Sequence, residues 1–144
     1  KRLGSLSFCC MSPKPLLLHI DDDRMFRRVV RRLFERAGWT VLEAEHGEEG
    51  VRRAEQEQPS AILLDIRMPI LDGFEALRLL KRQEETRDIP VIMCSSLGAK
   101  EDMRFCLQTG ACGYLIKTHH HPEEIHAHVV RLLREQEAEY TKEV

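Results

Sequence analysis

The chain has 144 residues, of which 42% are hydrophobic and 32% charged, and its net charge is near −2. That balance excludes a disordered polymer and a globally basic nucleic-acid binder, and the length suits one domain with a single substantial core. No apolar run is long enough to cross a bilayer and no signal-like segment opens the chain, so a cytoplasmic protein with no membrane partner is expected.

Residues 1–15 mix Gly, Ser and Pro without periodicity and are expected to be a disordered or expression-derived lead to a domain spanning 16–139, with 140–144 as a tail. Leu16 to Ile20 is an apolar run that stops at Asp21-Asp22-Asp23, the pattern of a buried strand with acids at its C-terminal end. Its one polar residue, His19, reads as a core histidine with a satisfied hydrogen bond. From Arg24 to Ala37, the residues Phe26, Val29, Val30, Leu33, Phe34 and Ala37 follow helical spacing. Arg24, Arg27, Arg28, Arg31, Arg32 and Arg36 would then form a basic outer face, either simply solvated or steering an acidic partner. Trp39 to Glu45 predicts a second strand and Glu48 to Gln56 a short helix ended by Pro59.

Ala61 to Leu64 is an unbroken apolar run that delivers Asp65 to a loop punctuated by Pro69 and Gly73. A helix over Gly73 to Glu85 follows, then a strand over Ile89 to Cys94 that runs into Ser95. A weaker helix covers about Lys100 to Gln108, a strand Tyr114 to Lys117, and a closing helix runs from Pro122 to about Glu139. Strands alternating with helices imply a doubly wound five-stranded parallel sheet, helices on both faces, in the order 2-1-3-4-5.

In such a sheet the ligand crevice lies outside the carboxyl ends of the strands. Asp21, Asp22, Asp65, Ser95 and Lys117 all fall at that edge. Three carboxylates there would repel one another unless a cation sat among them, and an all-oxygen set suits Mg²⁺. A lysine and a hydroxyl across the pocket complement phosphoryl oxygens, which makes Asp65 a candidate nucleophile for an acyl phosphate. The five cysteines Cys9, Cys10, Cys94, Cys106 and Cys112 lack CxxC spacing and read as reduced thiols. The run His119-His120-His121, with His126 and His128 nearby, lacks the companions a metal site needs and reads as an exposed loop.

Across residues 16–136 the chain resembles the receiver domain of two-component response regulators, in particular single receivers of the chemotaxis-regulator type. The motifs are Ile20-Asp21-Asp22-Asp23, Leu64-Asp65-Ile66-Arg67-Met68-Pro69 with Asp72-Gly73, Pro90-Val91-Ile92-Met93 running into Ser95, and Gly110-Ala111 followed by Tyr114 and Lys117. The resemblance implies that Asp65 accepts a phosphoryl group from the phosphohistidine of a sensor kinase or phosphotransfer protein. It implies Mg²⁺ held by Asp22, Asp65 and the backbone carbonyl of Arg67, with Asp21 acting through water, and a switch in which Ser95 moves inward while Tyr114 rotates. It also implies docking of the kinase or phosphotransfer partner against the helix that bears Arg24, Arg27 and Arg28, with no direct binding of nucleic acid.

Two departures stand out. Thr118 follows Lys117 where the family usually has proline, and Cys112-Gly113 replaces the acidic pair that many winged-helix regulators use to dimerise. Two rival readings are a binding module that signals without phosphorylation and a hydrolytic phosphatase. The phosphatase would want an acid two residues after the nucleophile, where Arg67 stands.

Overall fold

The computed structural model describes residues 13–96 and 98–143. In chain order the elements are β1 (Leu16–Ile20), α1 (Arg24–Arg36), β2 (Thr40–Ala44), α2 (Gly47–Glu57), β3 (Ala61–Leu64), α3 (Gly73–Arg82), β4 (Val91–Ser95), α4 (Lys100–Thr109), β5 (Gly113–Ile116) and α5 (Pro122–Glu143). The strands are all parallel in the order β2-β1-β3-β4-β5, as expected. Residues 1–12 of the expected lead, with Cys9 and Cys10, lie outside the described residues. None of the helices is long and apolar enough to cross a membrane, among the described residues.

The apolar runs become central strands because each is covered on both faces. One core layer joins Leu17 and Leu63 to Val30 and Phe34 of α1 and to Ile125, Val129 and Leu133 of α5. The other joins Leu18, Ile20, Ile62 and Leu64 to Val51 and Ala54 of α2, to Ala76, Leu77 and Leu80 of α3, and to Cys106 of α4. Alternate side chains of one strand thus feed two layers, which is why these runs are apolar throughout apart from His19.

Boundaries differ from the sequence reading where a side chain intervenes. The third helix ends at Arg82 rather than Glu85, because the buried Thr86 hydroxyl donates to the Leu80 carbonyl at 2.7 Å and turns the chain. The last helix runs past Glu139 to Glu143, supported by an Arg131–Glu135 pair at 3.3 Å and by the Thr141 hydroxyl bonding the Glu137 carbonyl. Lys117 opens a 3₁₀ turn to His119 instead of closing β5, and no peptide bond among the described residues is cis.

Candidate functional site

Strand register brings the acids together. The Asp21 amide donates to Ala44 of β2 at 3.0 Å and the Asp65 amide to Ile20 of β1 at 2.9 Å, so both residues sit one step past their strands at the same sheet edge. Asp23 then caps α1, its carboxylate accepting the Phe26 amide at 3.1 Å. Asp72 caps α3 in the same way through the Glu75 amide. Gly73 lies so close to the loop that a β-carbon there would stand 2.1 Å from the Asp65 carbonyl oxygen and 2.6 Å from the Ile66 Cα. The Asp72-Gly73 step therefore clamps α3 onto the backbone that presents Asp65.

Carboxylate oxygens of Asp21, Asp22 and Asp65 all lie within 4.8 Å of one another. Asp21 is fully buried and Asp65 only 6% exposed, whereas Asp22 faces solvent. Such a set of hard oxygen donors, buried on one side and open on the other, fits Mg²⁺. Arg67 lies beside Asp22 on an open cleft that also includes Ile66, Met68, Pro69, Asp72 and Phe74.

Lys117 donates to Asp21 Oδ2 at 2.7 Å, lies 3.7 Å from Asp65 Oδ1, and rests 4.3 Å above the centre of the Phe26 ring. Burial works against the charges of both Asp21 and Lys117. The contacts win: the His19 imidazole, the Lys117 ammonium and the Asp23 amide hold the Asp21 carboxyl below its usual range, and Asp21 raises Lys117. Asp65 goes the other way. Burial, reinforced by the charge of Asp21 and partly offset by Lys117, pushes its carboxyl up to about 7.

Ser95 is buried at the end of β4. The Leu64–Met93 pairing sets it one residue beyond the level of Asp65. Burial raises the Tyr114 phenol, and a hydrogen bond with Ser95 partly offsets this, so the two expected switch residues are in contact.

The arginine face of α1 needs correction. Arg27 is only 6% exposed: its Nη1 donates to the Asp21 carbonyl oxygen at 2.6 Å and its Nε to Glu43 at 2.9 Å. It belongs to the inner stripe Arg27, Val30 and Phe34, while Val29, expected inside, is 37% exposed. Arg31 is tied to Glu43 and Glu35. Arginine reads outward by residue type, yet the spacing of Arg27 from Val30 and Phe34 is that of a core position, the signal that could have found it.

His19 departs as well. It is fully buried, but neither ring nitrogen has a hydrogen-bond partner, and Nε2 stops 3.7 Å from Asp21 Oδ2. Burial lowers its pKa from the ordinary value, against the opposing pull of the Asp21 carboxylate. The C-terminal histidines serve packing and stacking: His126 meets the edges of Phe34 and Trp39, and His120 lies against His128.

The family model described as the response regulator receiver domain matches residues 17–130. The chain is similar to the DNA-binding dual master transcriptional regulator RpaA of Synechocystis, 41% identical over 120 residues that cover 83% of this chain and 49% of that one. It likewise spans about half the length of the phosphate regulon regulator PhoB of Klebsiella pneumoniae, 35% identical over 118 residues, or 82% of this chain and 51% of that one. Protein PilH of Pseudomonas aeruginosa is 39% identical over 101 residues, covering 70% of this chain and 84% of PilH. The solved structure of the chemotaxis protein CheY4 of Vibrio cholerae matches with a TM-score of 0.78 at 26% identity, covering 83% of this chain and 99% of that one.

Proposed function

This chain belongs to the receiver-domain family of two-component response regulators, and from that membership we propose that Asp65 is its phosphoacceptor, charged by a phosphohistidine of a sensor kinase or phosphotransfer protein. The observation that carries the reading is the convergence of Asp21, Asp22, Asp65 and Lys117 at the sheet edge, with carboxylate oxygens within 4.8 Å and the lysine 3.7 Å from Asp65. An Asp65 carboxylate oxygen attacks phosphorus, the P–N bond to the donor imidazole breaks, and the imidazole leaves with the electron pair and takes up a proton. The product is an acyl phosphate on Asp65.

Asp22, Asp65 and the Arg67 carbonyl would hold Mg²⁺, with Asp21 acting through water. There the ion would offset the mutual repulsion of the carboxylates and the charge of the phosphoryl oxygens. Lys117 supplies a positive charge 3.7 Å from Asp65 Oδ1, preorganised by Asp21 and the Phe26 ring. Ser95 would follow the phosphoryl group inward, and its hydrogen bond with Tyr114 would carry that movement to α4 and β5. α4 suits this role, since Cys106 is its one fully buried residue among those described and a shift of the helix disturbs little core.

The domain acts as a phosphorylation switch in the cytoplasm that assists its own phosphorylation and dephosphorylation. The receiver domain proper spans 16–139. The phosphatase reading lacks the acid it would need, since Arg67 occupies that place and is exposed.

Incubating the full chain with a small acyl-phosphate donor and Mg²⁺, read by intact mass, should give one phosphoryl adduct that is absent in Asp65→Asn and in chelator. An adduct that persists in Asp65→Asn, or none in the wild type, overturns the assignment.

A further inference from the structure

His19 lies in a central strand, shielded from water, with both ring nitrogens unsatisfied. A buried polar group left without a partner costs stability, and an apolar side chain in this position of β1 would carry no such cost. What surrounds the imidazole is specific. Its Nε2 is 3.7 Å from Asp21 Oδ2, beyond hydrogen-bond reach, and that same oxygen already accepts the Lys117 ammonium at 2.7 Å. Phe26 packs against both donors: its ring lies T-shaped to His19 with centroids 5.5 Å apart and carries Lys117 on its face at 4.3 Å. Imidazole and ammonium thus flank one carboxylate oxygen, and only the ammonium is within hydrogen-bond distance of it.

Lys117 also stands 3.7 Å from Asp65 Oδ1. A phosphoryl group on Asp65 brings more negative charge than the carboxylate alone and sets oxygens near the ammonium, which draws Lys117 away from Asp21. The buried Asp21 Oδ2 would then lose the lysine donor, while Oδ1 keeps the Asp23 amide at 2.8 Å, and a buried carboxylate oxygen left without a donor is costly.

We propose that His19 is a positioning residue for the phosphorylated state: as Lys117 turns to the phosphoryl oxygens, the His19 Nε2–H closes the gap to Asp21 Oδ2 and replaces the lysine there. The inference rests on the assignment of Asp65 above. It needs no proton uptake, because a neutral imidazole in the Nε2–H tautomer already carries the donor. It also accounts for the unsatisfied nitrogen of the resting protein, which waits for a partner that Lys117 occupies until the phosphoryl group arrives.

The test uses the full chain as wild type, His19→Leu and His19→Gln. In the wild type, ¹⁵N-histidine NMR should show the His19 Nε2–H signal shifting downfield and exchanging more slowly with water when Asp65 is modified by Mg²⁺ and beryllofluoride, a phosphoryl mimic. His19→Leu should melt at a higher temperature than the wild type, since an unsatisfied group is gone. Its labelled fraction with a small acyl-phosphate donor should nevertheless fall about tenfold, the scale of one hydrogen bond to a charged group. His19→Gln keeps an N–H donor and should recover most of that loss. A merely structural imidazole would move stability and labelling in the same direction.

Labelling of His19→Leu at the wild-type level, or a His19 signal indifferent to the adduct, overturns the proposal. Should His19→Leu fail to fold, the wild-type NMR signal and His19→Gln decide. A wild type that takes no adduct on Asp65 defeats the site assignment and this inference with it, whereas failure of the His19 readouts alone leaves the assignment standing.

Discussion

Asp65 is a carboxylate held largely out of water with two others beside it, and its pKa rises from the ordinary 3.8 to about 7. The folded state therefore binds a proton that the unfolded chain has already lost between those values. Stability from this group is present at low pH and declines as pH rises from near 4 through 7, with a limiting slope of about 1.4 kcal/mol per pH unit. In chelator, urea unfolding across this range should show Asp65→Asn gaining on the wild type up to about pH 7 and then running parallel to it. A constant difference between the two would show that Asp65 is not the group responsible.

Two neighbouring arginines on α1 should behave oppositely. Arg27 is buried against Glu43 and the Asp21 carbonyl, so Arg27→Glu removes a pair and creates a repulsion. It should cost about 3 kcal/mol and slow labelling by every donor. Arg28 is exposed, and Arg28→Glu should leave stability and small-donor labelling nearly unchanged while slowing transfer from a protein donor, more so at low salt. Paired stopped-flow and unfolding measurements distinguish the two. Equal effects at both positions would contradict the burial of Arg27.

At the scale of elements, the β3–α3 loop is held from both ends. Asp72 caps α3, and the Gly73 amide donates to the Ile66 carbonyl at 2.7 Å, while Ile70 at the tip has φ 71 and is 92% exposed. In Gly73→Ala the methyl meets the backbone of Asp65 and Ile66, neither of which is a flexible side chain that can yield. The substitution should cost about 1–3 kcal/mol and move Asp65. The expected result is a lowered melting temperature with a disproportionate loss of labelling. Labelling lost only in step with unfolding would mean that the clamp does not position Asp65.

For the whole molecule, the acidic edge ties metal affinity to folding. A cation that binds the native cluster and not the unfolded chain stabilises the domain by mass action, about 2.7 kcal/mol at a hundredfold excess over Kd. Thermal unfolding should therefore shift upward with added Mg²⁺ in the wild type and much less in Asp22→Asn. The same shift in both would place the ion elsewhere.

What the sequence determined by itself was the architecture and the polar edge. The runs Leu16–Ile20, Ala61–Leu64 and Val91–Cys94 are apolar on both faces apart from His19, so a doubly covered parallel sheet is their natural setting, and acids or hydroxyls that follow such runs directly must lie at one edge. That reasoning needs only local patterns, and Asp21, Asp22, Asp65, Ser95 and Lys117 were legible from it. What tertiary structure alone decided was the partner of each polar group. Arginine at position 27 reads as surface until Glu43 of β2 and the Asp21 carbonyl are brought to it, and His19 reads as satisfied until its neighbours prove to be Phe26 and an oxygen already taken by Lys117. Glu43 is 16 residues from Arg27 and Lys117 is 98 from His19 along the chain, and burial is decided by what the folded chain brings alongside, which no local pattern carries.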